Sequence, residues 1–80
     1  MRNPDVGDLL IQPKPGGHEF VIADAITRRV LSGPHATLAD ATARATRHAL
    51  RVGVNLWRNN TARQNGIELM LDLERDMQRV

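Results

Sequence analysis

Four basic residues recur at helical spacing in the middle of the chain and could bind a polyanion. At about 100° per position, Arg44, Arg47, His48 and Arg51 fall within roughly a quarter of a helix circumference. Arginines one turn apart can follow a nucleic-acid backbone, so these four are candidate nucleic-acid contacts. The alternative is a solvated face on which Asp40 pairs with Arg44 and cations suit the helix C-terminus.

A second group could supply hydrolytic chemistry. Ser32, His35 and Asp40 are a potential nucleophile, base and orienting acid, but nothing in their spacing requires that arrangement. The other histidines, His18 and His48, lie far from any close metal-ligand spacing, and there is no cysteine to supply a thiolate or a disulfide. We therefore expect no enzyme activity, no metal and no cofactor.

A third candidate is a contact surface around the single tryptophan. On a strand that also contains Val54 and Leu56, Trp57 points the opposite way, so it should lie on the sheet face away from the helix. An exposed tryptophan commonly marks a contact surface, so Trp57 and Met70 are candidate homodimer-interface residues. The alternative is that the C-terminal segment, with its alternating Leu and Met residues, covers Trp57.

The element that must position the basic residues is an amphipathic helix over residues 37–52. Thr37 is a suitable N-cap, Asp40 completes an approximate capping box, and Gly53 suits a C-cap. The expected apolar side consists of Leu38, Ala41, Ala45, Ala49 and Val52. Because alanines present little volume, larger residues should supply most of the core: Phe20, Ile22, Val30, Leu31 and Leu56.

The remaining pattern predicts antiparallel strands over 9–12, 18–23, 28–31 and 54–57. Residues 66–72 are ambiguous, because the apolar alternation favours a strand whereas the residue types favour a helix. We favour a fifth strand paired with the fourth. The predicted fold is α+β: an antiparallel sheet of four or five strands in the order β-β-β-α-β-β, packed on one amphipathic helix.

Composition indicates one small domain. The 80 residues are too few for two cores, and we expect an ordered core over about 8–73 between a frayed N-terminus and a C-terminal tail. Ten arginines and one lysine give a net charge of +2, with a basic body and an acidic C-terminal segment. No apolar run resembles a signal peptide or a membrane span, so a cytoplasmic location and no membrane partner are expected.

Two resemblances follow from the helix start. The run from Ser32 to Ala41 and the strand after the helix resemble a group of short bacterial proteins of unknown function, which enter the helix through a Gly-Pro-x-x-Thr-x-x-(acid)-Ala turn. More distantly, residues 37–41 are similar to the helix start of HicB-type antitoxins, which have a comparable core and bind a toxin partner. This chain has Leu-Ser-Gly-Pro where that family commonly has Pro-(acid)-x-Pro-Gly, and no DNA-binding module follows the core.

The sequence as a whole favours a non-catalytic protein-interaction or homodimerisation module. Self-association is the expected partnership, because it is one way for so small a domain to bury more surface. The alternative is a nucleic-acid-binding or antitoxin-like regulatory module that uses the arginine side of the helix. If the protein has a working surface, the sequence places it on the sheet side around Trp57.

Overall fold

The protein is an α+β domain in which one helix packs on one face of a five-stranded sheet. The structure is a computed structural model, and it describes residues 3–59 and 66–73. The elements in chain order are β1 Leu9–Pro13, β2 Phe20–Asp24, β3 Val30–His35, α1 Leu38–Val52, β4 Leu56–Asn59 and β5 Ile67–Leu71. The predicted fold class and element order are confirmed.

The sheet is mixed rather than wholly antiparallel. Its strand order is β3-β2-β1-β4-β5, and the β1–β4 pair is parallel while the other three pairs are antiparallel. The parallel pair arises because α1 carries the chain back across the sheet before β4 begins. In this arrangement β3 and β5 are the two edge strands.

Helix α1 has the predicted caps. The Thr37 hydroxyl oxygen accepts a hydrogen bond from the Asp40 amide at 3.1 Å. At the other end Gly53 adopts φ +78°, and its amide donates to the Ala49 carbonyl at 2.8 Å. A left-handed residue at this position is strained for any side chain with a Cβ, so glycine ends the helix here.

The buried side of α1 is narrower than predicted. Ala41, Ala45 and Ala49 are fully buried, but Leu38 and Val52 are 38% and 52% exposed. The prediction that all five residues face the core is therefore wrong at both ends. Leu38 and Val52 are the first and last residues of α1, whereas the three alanines lie between them and pack in the core cluster.

Large residues of the three central strands form the core beneath α1. The helix-facing cluster contains Leu9, Ile11, Ile22 and Leu56 together with the three alanines, and Phe20, Val54 and Leu71 pack against it. Val30 and Leu31 were predicted to belong to this core, but they are 53% and 54% exposed. Both lie on the edge strand β3, which has a neighbouring strand on one side only.

Strand β3 starts and ends later than predicted. Arg28 and Arg29 belong to the preceding turn, where Arg28 has φ +67° and the Asp24 carboxylate accepts hydrogen bonds from the Ile26 and Thr27 amides at 2.8 Å. The strand then continues through the Gly33-Pro34 pair that was expected to end it. An edge strand tolerates proline because its outward amides have no ladder partner.

Residues 67–71 form strand β5, so the prediction from apolar alternation is confirmed and the alternative from helical propensity is wrong. It pairs with β4 as predicted, but the register shifts between Leu56 and Trp57: Leu56 lies opposite Leu71, and Trp57 opposite Leu69. Met70 is the additional residue of this bulge. The bulge puts Leu71 with the helix-side core and Leu69 on the other face. The predicted tail at 74–80 lies outside the described residues.

Candidate binding groove

An open groove lies between one side of α1 and the strands β1, β2 and β3. One wall is basic and belongs to the helix: Arg44, Arg47, His48 and Arg51. The floor and opposite wall belong to the strands: Leu9, Ile22, Leu31 and Ser32. The groove has a volume of about 330 Å³. The groove runs along the arginine-bearing side of α1, beside the row of buried alanines, and Leu31 and Ser32 of the edge strand β3 line its other side.

The structure therefore brings together all four basic residues that the sequence singled out. It also adds a second wall, which sequence reasoning missed. Leu31 is predicted to belong to the core and the third strand is predicted to end there, yet Leu31 and Ser32 both lie in β3 and line the groove opposite the arginines. These arginines therefore line a groove that is partly apolar, whereas the sequence suggested a solvated polar helix face.

Arg44 is partly neutralised. Its Nε lies 3.7 Å from the Asp40 carboxylate, one helical turn away, and both side chains are at least half exposed. This is the ion pair that the solvated-face alternative predicted. Because exposed pairs of this kind contribute on the order of 0.3–0.5 kcal/mol, a ligand anion can compete with Asp40 for Arg44.

The other basic residues of the groove have no acidic partner within the described chain. Arg51 Nη2 donates to His48 Nδ1 at 3.0 Å, an arrangement that places the neutral histidine's proton on Nε2. Arg47 makes no hydrogen bond or ion pair within residues 3–59 and 66–73. Two full positive charges therefore face this groove without a compensating carboxylate.

Ser32, His35 and Asp40 also come together at the end of the groove. Ser32 Oγ lies 3.1 Å from His35 Nε2, and the His35 ring is almost fully buried. His35 Nδ1 is 3.9 Å from the Asp40 carboxylate, which also faces Arg44. That distance exceeds the roughly 2.6–3.2 Å at which an acid orients a catalytic histidine. The Asp40 carboxylate favours a proton on Nδ1, which leaves Nε2 to accept from the Ser32 hydroxyl.

Trp57 lies on the face opposite the helix, as predicted, but it is only 3% exposed. It packs with Leu10, Ala25 and Ile67, and Leu69 covers the same cluster. Of the two alternatives left open by the sequence, the structure therefore shows the one in which the alternating C-terminal run covers the ring. The prediction of a working surface around an exposed Trp57 is wrong for this reason.

Asp8 is the hydrogen-bond acceptor for Trp57 on this face of the sheet. Its carboxylate accepts hydrogen bonds from Trp57 Nε1 at 2.9 Å, from the Asn55 amide at 3.1 Å and from the Asp5 amide at 2.9 Å. Asp8 is 4% exposed, so this residue of the polar N-terminal segment is buried against the sheet. Within the described part of the chain, no buried side-chain nitrogen or oxygen lacks a partner. This region is therefore complete, with no polar atom held for a ligand.

Met70 is 38% exposed at the bulge in β5 and does not line the groove. Residues 3–59 and 66–73 contain no group of three or more histidine, aspartate or glutamate side chains placed to hold a metal ion. The same residues include no helix with the length and hydropathy to cross a membrane.

The chain shows no match to a family model, to a curated protein or to a solved structure. Any function must therefore be argued from the groove and the residues around it.

Proposed function

We propose that this protein is a non-catalytic protein-interaction module whose working surface is the groove between α1 and β3, and that it binds an acidic, partly apolar segment of a partner protein. The carrying observation is the composition of the two walls. Among the residues that the structure describes, Arg47 and Arg51 have no acidic partner, and Leu31 supplies an aliphatic surface that is 54% exposed.

The mixed lining favours a protein segment over a nucleic acid. A polynucleotide would use the arginines through its phosphates and would gain little from Leu9, Ile22 and Leu31. Base stacking needs aromatic platforms, and the two aromatic residues of the chain, Phe20 and Trp57, do not line the groove. An acidic segment with an aliphatic side chain matches both walls at once.

The proposal is tested by fluorescence anisotropy with a labelled glutamate- and leucine-rich peptide, and with labelled duplex DNA in parallel. The test variant is Arg47→Gln combined with Arg51→Gln. The control is Arg28→Gln combined with Arg29→Gln, which removes the same charge from the turn before β3. We expect the peptide to bind the control as it binds the native chain, and the groove variant at least about tenfold more weakly, because each lost charged hydrogen bond is worth about that factor.

Equal peptide affinity in the two double variants would place binding outside the groove. Binding of duplex DNA, with a steep fall as salt rises and no binding of the peptide, would replace the proposal with the nucleic-acid alternative.

Self-association is a second candidate, supported by a different observation. Val30 and Leu31 are both about half exposed on the edge strand β3, where a second copy could bury them. We expect sedimentation velocity to show a dimer that becomes a monomer when Val30 is changed to Ser. A monomeric native chain across the accessible concentrations would remove this candidate and leave the groove proposal in place.

An antitoxin-like regulator is a variant of the nucleic-acid alternative. It follows from the resemblance of residues 37–41 to the helix start of HicB-type antitoxins, which bind a toxin partner.

A further inference from the structure

The charges that face the groove exceed what one carboxylate can neutralise. Arg44 shares its charge with Asp40 at 3.7 Å, whereas Arg47 and Arg51 have no acidic partner within the described residues. His48 adds a neutral donor at Nε2, because its Nδ1 accepts from Arg51. The helix wall thus presents about two uncompensated positive charges and one further N–H.

The spacing of these donors suits a group with several oxygen atoms. Positions 44, 47, 48 and 51 are neighbours on one helix face, at separations of three and four residues, where Cβ atoms lie about 5–6 Å apart. Long guanidinium side chains from adjacent turns can therefore meet at one anion. A phosphomonoester offers three terminal oxygens and a charge of about −1.5 to −2, whereas a carboxylate offers two oxygens and −1. Guanidinium groups also bind phosphate oxygens through two parallel hydrogen bonds.

The apolar floor requires that the phosphate carry an apolar stem. Leu9 and Ile22 are almost fully buried beneath the groove, and Leu31 rises from β3 as its exposed aliphatic wall. A free phosphate ion would leave the exposed side chain of Leu31 in water. A volume of about 330 Å³ accepts a group the size of a phenyl phosphate, with its ring against Leu31 and its phosphate toward Arg47 and Arg51.

We infer that the groove recognises a phosphomonoester on an apolar stem, presented as a phosphorylated side chain of the partner segment. This inference rests on the proposed function and adds the chemical identity of the anion. It assigns the phosphate to Arg47, Arg51 and His48 Nε2, and the stem to Leu31. Ser32 is not a donor to this phosphate, because its hydroxyl proton is directed at His35 Nε2, 3.1 Å away.

The first test compares small probes by NMR titration of the labelled full chain. Phenyl phosphate, benzoate and inorganic phosphate differ in one feature at a time: benzoate keeps the ring and lowers the charge, and inorganic phosphate keeps the charge and removes the ring. We expect phenyl phosphate to bind at least about tenfold more tightly than either, with shifts centred on α1 and β3. Benzoate or inorganic phosphate binding as tightly as phenyl phosphate would overturn the inference.

The second test separates the two walls. Arg47→Gln should weaken both phosphate probes by about tenfold, whereas Arg29→Gln, outside the groove, should leave them unchanged. Leu31→Ser should weaken phenyl phosphate several-fold and leave inorganic phosphate unchanged, since only the stem contacts Leu31. Loss of both probes in Leu31→Ser, with the circular dichroism spectrum unchanged, would contradict the assignment of the stem to Leu31.

The third test identifies the source of the phosphate. It also shows whether the inference or the proposed function has failed. A peptide with one phosphotyrosine should bind at least as tightly as phenyl phosphate and more tightly than adenosine monophosphate; the reverse order would assign the groove to a nucleotide. If the glutamate- and leucine-rich peptide binds through Arg47 and Arg51 but phenyl phosphate does not bind, the inference fails and the proposed function stands. If phenyl phosphate binds and displaces no peptide, the proposed function fails.

Discussion

The two faces of this sheet differ in how completely their side chains are buried. Opposite the helix, the large side chain of Trp57 is closed over by Leu69 and Ile67, and its one polar atom is bonded to Asp8. On the helix side, small alanines draw α1 close to the central strands, and the flank beside β3 stays open. The helix side thus has a buried centre and an open flank, whereas Trp57 and its neighbours Leu10 and Ala25 are buried.

The comparison separates residues that stabilise the fold from residues free to bind. Within the described chain every buried polar side-chain atom has a partner, and on the closed face Trp57 Nε1 is paired with Asp8. Along the groove, Arg47 has none within the described residues, and Leu31 remains half exposed. We therefore expect substitutions on the closed face to change stability and substitutions in the groove to change binding.

The largest effect should come from the tryptophan itself. Trp57→Ala leaves a cavity beside Leu10 and Ile67, and we expect it to lower the free energy of unfolding by about 3–5 kcal/mol. Urea unfolding followed by circular dichroism measures this without the lost fluorophore. Met70→Ala, at the exposed bulge, is the matched control and should cost less than about 1 kcal/mol. Similar costs for the two would mean that Trp57 is not closed over.

Removal of the Asp8 carboxylate should have the next largest effect. Asp8→Ala leaves Trp57 Nε1 and the Asn55 amide without their acceptor, and each buried unpaired donor costs about 1–3 kcal/mol. Asp5→Ala is the control, because the Asp5 carboxylate accepts a hydrogen bond from an exposed amide, that of Val6. A shift in the urea midpoint no larger for Asp8→Ala than for Asp5→Ala would contradict the role given to Asp8.

The close approach of the helix can be tested by adding volume beneath it. Ala45→Leu overpacks a fully buried position and should cost about 1–3 kcal/mol, while Ala43→Leu on the exposed side of the same helix should be near neutral. Thermal unfolding of the two variants measures the difference. If Ala45→Leu is tolerated as well as Ala43→Leu, the helix does not lie as close to the sheet as the three alanines indicate.

A smaller effect is expected from the turn that starts β3. Hydrogen bonds from the Thr27 amide, and then from the Ile26 amide, lower the pKa of Asp24 from its ordinary value of 3.8. Because the folded-state pKa is lowered, the stabilisation is present above pH 3.8 and is lost as the pH falls through the folded value. Comparing acid unfolding of the native chain with that of Asp24→Ala tests this. The stability difference between the two should shrink as the pH falls below 3.8, and a difference independent of pH would contradict it.

The smallest effect on stability should come from the groove. Replacing Arg47 and Arg51 with Gln removes two like charges that lie near each other on one helix face, so the urea midpoint should move by less than the equivalent of about 0.5 kcal/mol. A loss of more than 1 kcal/mol would show that these arginines stabilise the fold, which would remove the distinction between the two faces.

Much of the scaffold could be predicted because local chemistry specifies it. The Thr37 cap, the glycine after Val52 and the alternation of residues 67–71 each act within a few positions. The basic residues of the groove were found for the same reason, since helical periodicity alone places Arg44 and Arg51 on one side.

The errors fall where long-range packing decides. Val30 has the residue type of a core position and is exposed because its strand lies at the sheet edge. Asp8 has the residue type of a polar terminus, yet it is buried. Its carboxylate accepts one hydrogen bond each from Asn55 and Trp57, nearly fifty positions away, and one from the Asp5 amide.

By itself, the sequence determined one capped, alanine-lined helix with arginines on its outer side and five short apolar runs around it. Only the tertiary structure decided which face of the sheet would close and which would open. The pattern of side chains determines the local secondary structure, because it acts over one or two turns. The groove between Leu31 and Arg47 depends on the packing of α1 beside the edge strand β3, and the order of strands in the whole sheet brings these two elements together.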